Sequence, residues 1–174
     1  MADIRIDATK TQEKNPNSVP KNYSEVKSLI SKLNMELKLL QNAVNTNVEN
    51  MTSMMREAEL LYSEIPKNEQ QTDNNNKLRK GIADLLNRAE LTNKAMIISL
   101  ESFDPFLEQV VAARVFLLNG SSENSAVTKR APKDINQYNK ALISLDNFLN
   151  IFNALMLRNE TTRQKIDFLR KTLT

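Results

Sequence analysis

The stretch from residue 26 to residue 65, VKSLISKLNMELKLLQNAVNTNVENMTSMMREAELLYSEI, carries apolar residues in alternating steps of four and three. Eleven of its twelve seam positions are apolar, whereas the 40% apolar content of the chain would place about five there. The seam positions are Val26, Ile30, Leu33, Leu37, Leu40, Val44, Asn47, Met51, Met54, Ala58, Leu61 and Ile65. This heptad pattern predicts one helix of about 44 residues, roughly 65 Å long, that ends at Pro66.

The start of this helix has its own signal. Asn22 is a suitable N-cap, and Glu25 stands three residues later, as in a capping box. The preceding residues mix Asp, Thr, Lys, Asn and two prolines, with Ile4 and Ile6 as the only sizeable apolar pair before Val19. We therefore expect a flexible N-terminal arm over 1–21.

Two further segments repeat the pattern after polar loops. The second has ten apolar residues in twelve seam positions, and the third has nine. The second seam is Leu78, Ile82, Leu85, Ala89, Thr92, Met96, Ser99, Phe103, Phe106, Val110, Ala113 and Leu117. The third is Asp134, Tyr138, Ala141, Leu145, Phe148, Phe152, Leu155, Asn159, Thr162, Ile166, Leu169 and Leu173. These seams predict helices over about 76–119 and 133–173.

Pro105 lies inside the second seam. Asp104 and Pro105 are suitable as the cap and first residue of a new helix, but a new helix has no reason to keep the register of the old one. We therefore favour one helix that is kinked at Pro105, where the proline removes a backbone hydrogen bond and crowds the carbonyl of Glu101. Gly120 is expected to end it.

Three segments of similar length predict an all-α fold, an elongated and coiled-coil-like antiparallel three-helix bundle over 22–174. Two glycines, no Trp and the wealth of Leu, Lys, Glu and Gln favour helices over strands.

The composition excludes most familiar catalytic chemistry. The chain has no Cys and no His, so thiol nucleophiles, imidazole bases and the common zinc ligand sets are missing. It also has no Gly-rich phosphate loop and no GxSxG motif. We expect no enzyme activity, no catalytic or metal-binding residues and no cofactor.

The charge and targeting signals are weak. Twenty-four basic and 21 acidic residues give a net charge of +3, too balanced to indicate nucleic-acid binding by itself. No Sec-type h-region and no run of 18 apolar residues is present, so we expect a soluble protein without membrane contact. Its compartment stays open between the cytoplasm and export without a Sec signal.

A surplus of apolar residues marks one end of the second and third helices. With 100° per residue, the side chains beside and behind the seam residues Val110 and Leu117 are also apolar. The candidate partner-binding residues are Leu107, Val111, Val115, Leu118, Ile143 and Ile151. They have two readings: a wider core, covered by splayed helices or by Ile4 and Ile6, or a contact surface for another protein or a second copy.

Two other features have plain structural interpretations. Asn47 and Asn159 interrupt the seams, and a buried Asn commonly determines helix register. Basic residues gather where the first loop should meet the end of the third helix, but acidic residues are interleaved with them. The basic residues are Lys67, Lys77, Arg79, Lys80, Arg163, Lys165, Arg170 and Lys171.

Together these patterns indicate a non-catalytic interaction protein, whether an assembly, scaffold or secretion-associated component. A Ser/Thr/Asn-bearing arm followed by long helices is similar in style to small secreted or secretion-associated bundle proteins of bacteria, although no WxG-type turn is present. The alternative is a bundle that binds nucleic acid or phosphate through its basic end.

Overall fold

The computed structural model describes residues 20–66, 72–121 and 132–174, and these ranges contain helices and no strand. The helices are α1 (Tyr23–Ser63), α2 (Asp73–Glu101), α3 (Asp104–Ser121) and α4 (Pro132–Leu173). The all-α prediction is confirmed. Residues 1–19 of the expected arm lie outside the described residues.

The side-chain and ring contacts give the helix directions. Tyr23 stacks on Tyr138 near the starts of α1 and α4, and Asn45 binds Arg158 further along both helices, so these two helices run parallel. The contacts of α4 with the segment that contains α2 and α3 follow the opposite order. Phe152 lies against Phe103, whereas Asn159, further along α4, binds Asn93, which comes earlier in that segment. The helices therefore form three rods, in which α2 followed by α3 runs antiparallel to α1 and α4, and the expected bundle arrangement agrees with these contacts.

The second rod is interrupted. The second seam predicts one kinked helix over about 76–119, whereas the structure has two helices separated by Ser102 and Phe103. The carbonyl of Phe103 accepts the first hydrogen bonds of α3, from the amides of Phe106 at 2.9 Å and Leu107 at 3.0 Å. Pro105 thus lies in the first turn of α3, where its missing N–H costs nothing. The kink at Pro105 itself stays a prediction.

The antiparallel register continues across this interruption. Glu90 of α2 pairs with Arg170, and Arg114 of α3 pairs with Asp146. Residue numbers on α4 fall steadily as those on the second rod rise. One half of the buried face of α4 therefore packs against α2, and the other half packs against α3.

Burial along α4 follows the predicted seam from Tyr138 to Leu173, and only Asp134 is exposed. In α1 three positions differ from the predicted seam: Leu29, Val48 and Met55 are buried where Ile30, Asn47 and Met54 were expected. Both sets run from Val26 to Ala58 in nine steps, so they differ only in the order of the three- and four-residue steps, and each difference exchanges one residue for its neighbour in the chain. The same shift of one residue buries Asn93 and Leu100 of α2 instead of Thr92 and Ser99.

The helix ends are close to those expected. Asn22 caps α1, accepting a hydrogen bond from the amide of Glu25 at 2.9 Å. The carboxylate of Glu25 reaches back to the amide of Lys21 at 2.8 Å, one residue before the cap. α1 ends three residues before Pro66, and α3 continues through Gly120, so this glycine does not end the helix.

Candidate docking surface

The α3 helix is held against α4 by aromatic packing at its beginning. Phe103 is buried between the rings of Phe106, at 5.3 Å, and Phe152, at 5.8 Å. Phe148 continues the stack along α4. These contacts determine which side of α3 faces the core and which side faces outward.

Three aliphatic side chains lie on the outward side of α3. Val111 and Val115 are 56% and 52% exposed, and Leu118 is similarly exposed. Because four and seven residues correspond to rotations of about 40° and −20°, these three side chains share one face over two helical turns.

An ion pair crosses from this face to α4. The guanidinium Nε of Arg114 lies 2.9 Å from a carboxylate oxygen of Asp146, and both side chains are partly exposed. Ile143 precedes Asp146 by about one turn and is 60% exposed. We call the surface formed by Val111, Val115, Leu118 and Ile143 around this ion pair the docking face.

Two of the six candidate residues do not belong to the docking face. Leu107 is partly buried and packs against the core, so it contributes to the stability of the bundle. Ile151 is only 37% exposed and lies about 80° around α4 from Ile143. It shares its flank with Arg158, whose guanidinium binds the side-chain oxygen of Asn45 on α1. Ile151 therefore faces the α1 side of the bundle.

Apolar side chains are also exposed elsewhere on the bundle, at positions that were not predicted as candidates. Large apolar side chains project outward from every long helix, and Ile98 of α2 is 68% exposed. The others include Met35, Leu39 and Leu60 of α1, Leu91 of α2, and Leu157 and Phe168 of α4. Their positions between seam residues were a signal that could have identified them. What distinguishes the docking face is the size of its side chains, because Val111, Val115 and Leu118 share one side of α3, whereas the corresponding exposed row of α2 has alanine at its centre.

The basic end of the bundle is partly neutralised. Arg170 pairs with Glu90 at 2.6 Å and also binds the Asn87 side-chain oxygen at 2.7 Å. Arg163 forms two hydrogen bonds to Glu160, which lower the pKa of that carboxyl group. Lys67 lies outside the described residues. The remaining basic residues of this set are exposed on α2 and α4: Lys77, Arg79, Lys80, Lys165 and Lys171.

The predicted seam asparagines have different environments. Asn159 is buried and accepts a hydrogen bond from Asn93, whereas Asn47 is half-exposed because Val48 takes its place in the core. Of the neighbouring methionines, Met51 and Met55 are buried and Met54 is partly buried, so all three serve the core.

Within residues 20–66, 72–121 and 132–174, no group of three acidic side chains is arranged to hold a metal ion. No helix in the described part of the chain is both long and apolar enough to span a membrane.

Comparison with known proteins adds no assignment. The chain matches no protein-family model, no curated protein and no solved structure.

Proposed function

We propose that this chain is a non-catalytic helical-bundle protein that binds another protein through the docking face. The observation that carries the proposal is the row of Val111, Val115 and Leu118, all more than half exposed on one side of α3. Burial of such aliphatic side chains is favourable by roughly 25 cal/mol per Å² of apolar surface. Dense exposed apolar patches on soluble proteins commonly mark interaction sites.

The shape of the docking face suits a helix as the docked element. Val111, Val115 and Leu118 repeat at steps of four and three, which is the spacing of a coiled-coil seam. An amphipathic partner helix would place its own apolar stripe between this row and Ile143. The Arg114 and Asp146 side chains are 40% and 49% exposed beside this row, so the guanidinium N–H groups and carboxylate oxygen outside their contact can form hydrogen bonds with polar residues on the partner.

The size of the docking face favours a transient complex. A few half-exposed aliphatic side chains supply a few hundred Å² of apolar surface. A stable complex buries about 800 Å² per partner, so a complex formed only here would be weak. A second copy of the chain is the other candidate partner, and it would need a larger contact.

The nucleic-acid alternative has weaker support. Glu90 and Glu160 pair with Arg170 and Arg163, so two of the basic residues already have acidic partners within the bundle. We expect titration with DNA and RNA at moderate salt to show no binding. Salt-dependent binding would favour this alternative over protein docking.

The central experiment compares two double variants. Val111→Lys with Val115→Lys places charge in the docking face, and Leu91→Lys with Ile98→Lys places equal charge on outward positions of α2, which are at least as exposed. We expect pull-down from the native host to lose a specific protein with the first variant and to keep it with the second. Equal capture by both folded variants would contradict the proposal.

Light scattering on the same proteins tests the second copy as the partner. A mass above that of the monomer in the wild type, reduced in the Val111/Val115 variant alone, would identify self-association through the docking face. If the wild type and both variants have the mass of a monomer, the proposed partner is a different protein.

A further inference from the structure

The last turn of α3 contains an asparagine that is followed by glycine. Asn119 and Gly120 form the only such pair in the sequence. Gly120 was expected to end the helix, yet α3 continues to Ser121 and includes both residues. Asn119 is exposed, and Gly120 is partly buried. The pair is therefore held in helical conformation at the very end of a helix.

An asparagine that precedes glycine is chemically labile. The backbone nitrogen of Gly120 can attack the side-chain carbon Cγ of Asn119, which closes a succinimide ring. The bond from Cγ to Nδ2 breaks, and Nδ2 leaves as ammonia with the proton of the attacking nitrogen. Water then opens the ring and leaves aspartate or isoaspartate, so a neutral amide becomes a carboxylate. Glycine favours the attack because it has no Cβ that would hinder the approach.

The α-helix opposes this reaction. In α3 the amide of Gly120 donates to the carbonyl four residues earlier, and the helical φ and ψ angles hold the Gly120 nitrogen away from Cγ of Asn119. Attack therefore requires that the last turn of α3 open first. The rate of the reaction depends on how often this turn opens.

The last turn of α3 is weakly held by packing. Leu117 is fully buried, whereas Leu118 and Asn119 are exposed and Gly120 contributes no side chain. Asparagine and glycine have low helix propensities, and the last turn has no basic residue that would stabilise the negative end of the helix dipole. Helix ends of this kind open far more often than helix centres.

Asn119 also continues the outward row of the docking face. Val111, Val115 and Asn119 follow one another at steps of four, so the Asn119 side chain lies one turn beyond Val115 on nearly the same side of α3. A partner that covers Val115 and Leu118 would also approach Asn119. A carboxylate at this position opposes the helix dipole and loses its hydration when an apolar partner covers it.

We propose that Asn119 is a site of spontaneous deamidation, and that the resulting carboxylate weakens binding at the docking face. The reaction itself needs only the local opening of α3, whereas its effect on binding rests on the proposed function above. Because the product accumulates, the fraction of chains with the weakened docking face increases with the age of the protein.

A second Asn–Gly pair in the same chain provides the matched control. Ala43→Gly creates this pair with Asn42 at the centre of α1, twenty residues from either end, and both positions are exposed. Conversion during storage of the folded protein is followed by mass spectrometry of tryptic peptides, because replacement of NH2 by OH raises the mass. Fragmentation of the peptide 115–129 distinguishes Asn119 from Asn124.

We expect Asn119 to convert about tenfold or more faster than Asn42 in the folded protein, because a helix end opens more often than a helix centre. In urea, where neither helix remains, the two should convert at similar rates. Equal rates in the folded protein would overturn the proposal. In the wild type, so would an unchanged Asn119 after about ten times the period in which the unfolded chain converts fully.

Asn119→Asp tests the effect on binding, and Asn42→Asp is the control for one added charge. We expect the protein captured by the docking face to bind the first variant several-fold more weakly and the second as tightly as the wild type. Unchanged affinity for Asn119→Asp would overturn the effect on binding. If no partner is found while Asn119 converts faster than Asn42, only the proposed function fails. If capture depends on Val111 and Val115 but Asn119 and Asn42 convert equally, only the deamidation fails.

Discussion

The side-chain amide of Asn93 donates a hydrogen bond to the side-chain oxygen of Asn159 over 2.9 Å, between α2 and α4. A second contact joins the same amide to the backbone carbonyl of Asn159 at 3.3 Å. Both residues are buried, with exposures of 2% and 5%. Because a buried amide is costly without a partner, this pair favours one register of α2 against α4 over shifted alternatives.

Single and paired replacements of these asparagines should behave differently. Asn93→Leu leaves the Asn159 side chain buried without its donor, and we expect the free energy of unfolding to fall by about 1–3 kcal/mol. The double change to Leu should recover most of this loss, because neither amide then remains. Urea denaturation measures both values, with the half-exposed Asn47→Leu as the control. If the loss of unfolding free energy in the double variant equals the sum of the two single losses, the pairing is contradicted.

The aromatic stack of α4 should contribute strongly to the free energy of unfolding. Phe148 is fully buried and stacks on Phe152 at 6.3 Å. We expect Phe148→Ala to lower the free energy of unfolding by about 3–5 kcal/mol, since it removes a large buried ring and leaves a cavity. The matched control is Leu157→Ala on the exposed side of α4, with an expected change within about 0.5 kcal/mol. Similar losses for both would show that α4 is rotated from its position here.

The ion pairs of Glu90 should give the bundle an acid-sensitive component. The hydrogen bond from Lys94 lowers the pKa of Glu90, and the charge of Arg170 lowers it further. A carboxyl group with a lower pKa in the folded state stabilises the fold above its unfolded pKa. That contribution is lost as the pH falls through the folded pKa, and because Glu90 is partly exposed, it should be below about 1 kcal/mol.

The measurement is urea denaturation of the wild type and Glu90→Gln between about pH 3 and pH 7. We expect the wild type to be the more stable of the two at pH 7 and the difference to vanish near pH 3. Arg170→Gln should lose only part of this effect, because Lys94 still binds Glu90. Parallel curves for the wild type and Glu90→Gln would contradict the assignment.

Replacement of Pro105 distinguishes a helix start from a kinked helix. In the first turn of α3 the proline replaces an amide that needs no helical partner, so Pro105→Ala should change the free energy of unfolding by less than about 0.5 kcal/mol. Ala112→Pro, in the middle of α3, should cost about 3 kcal/mol or more. If Pro105→Ala raises both helicity and stability, the proline was bending a continuous helix, as the register suggests.

The heptad seams by themselves determined that the described part of the chain is all-α, the bounds of α1 and α4 to within a few residues, and the buried side chains of α4, but not the break between α2 and α3. This was possible because the spacing of the apolar residues along an amphipathic helix predicts which of its side chains are buried. The exact core face of α1 was not predictable, since the choice between the adjacent residues Asn47 and Val48 depends on how the neighbouring helices pack against α1.

Only the tertiary structure decided the partners and the surface. Asn159 was identifiable as a buried seam residue, but its partner Asn93 lay one position away from the expected seam. The six candidate residues separated into a docking face, a core residue and a residue on another flank, because the directions of Leu107 and Ile151 depend on where α1 and α4 pack. Sequence spacing describes each helix separately, whereas exposure results from how the helices cover one another.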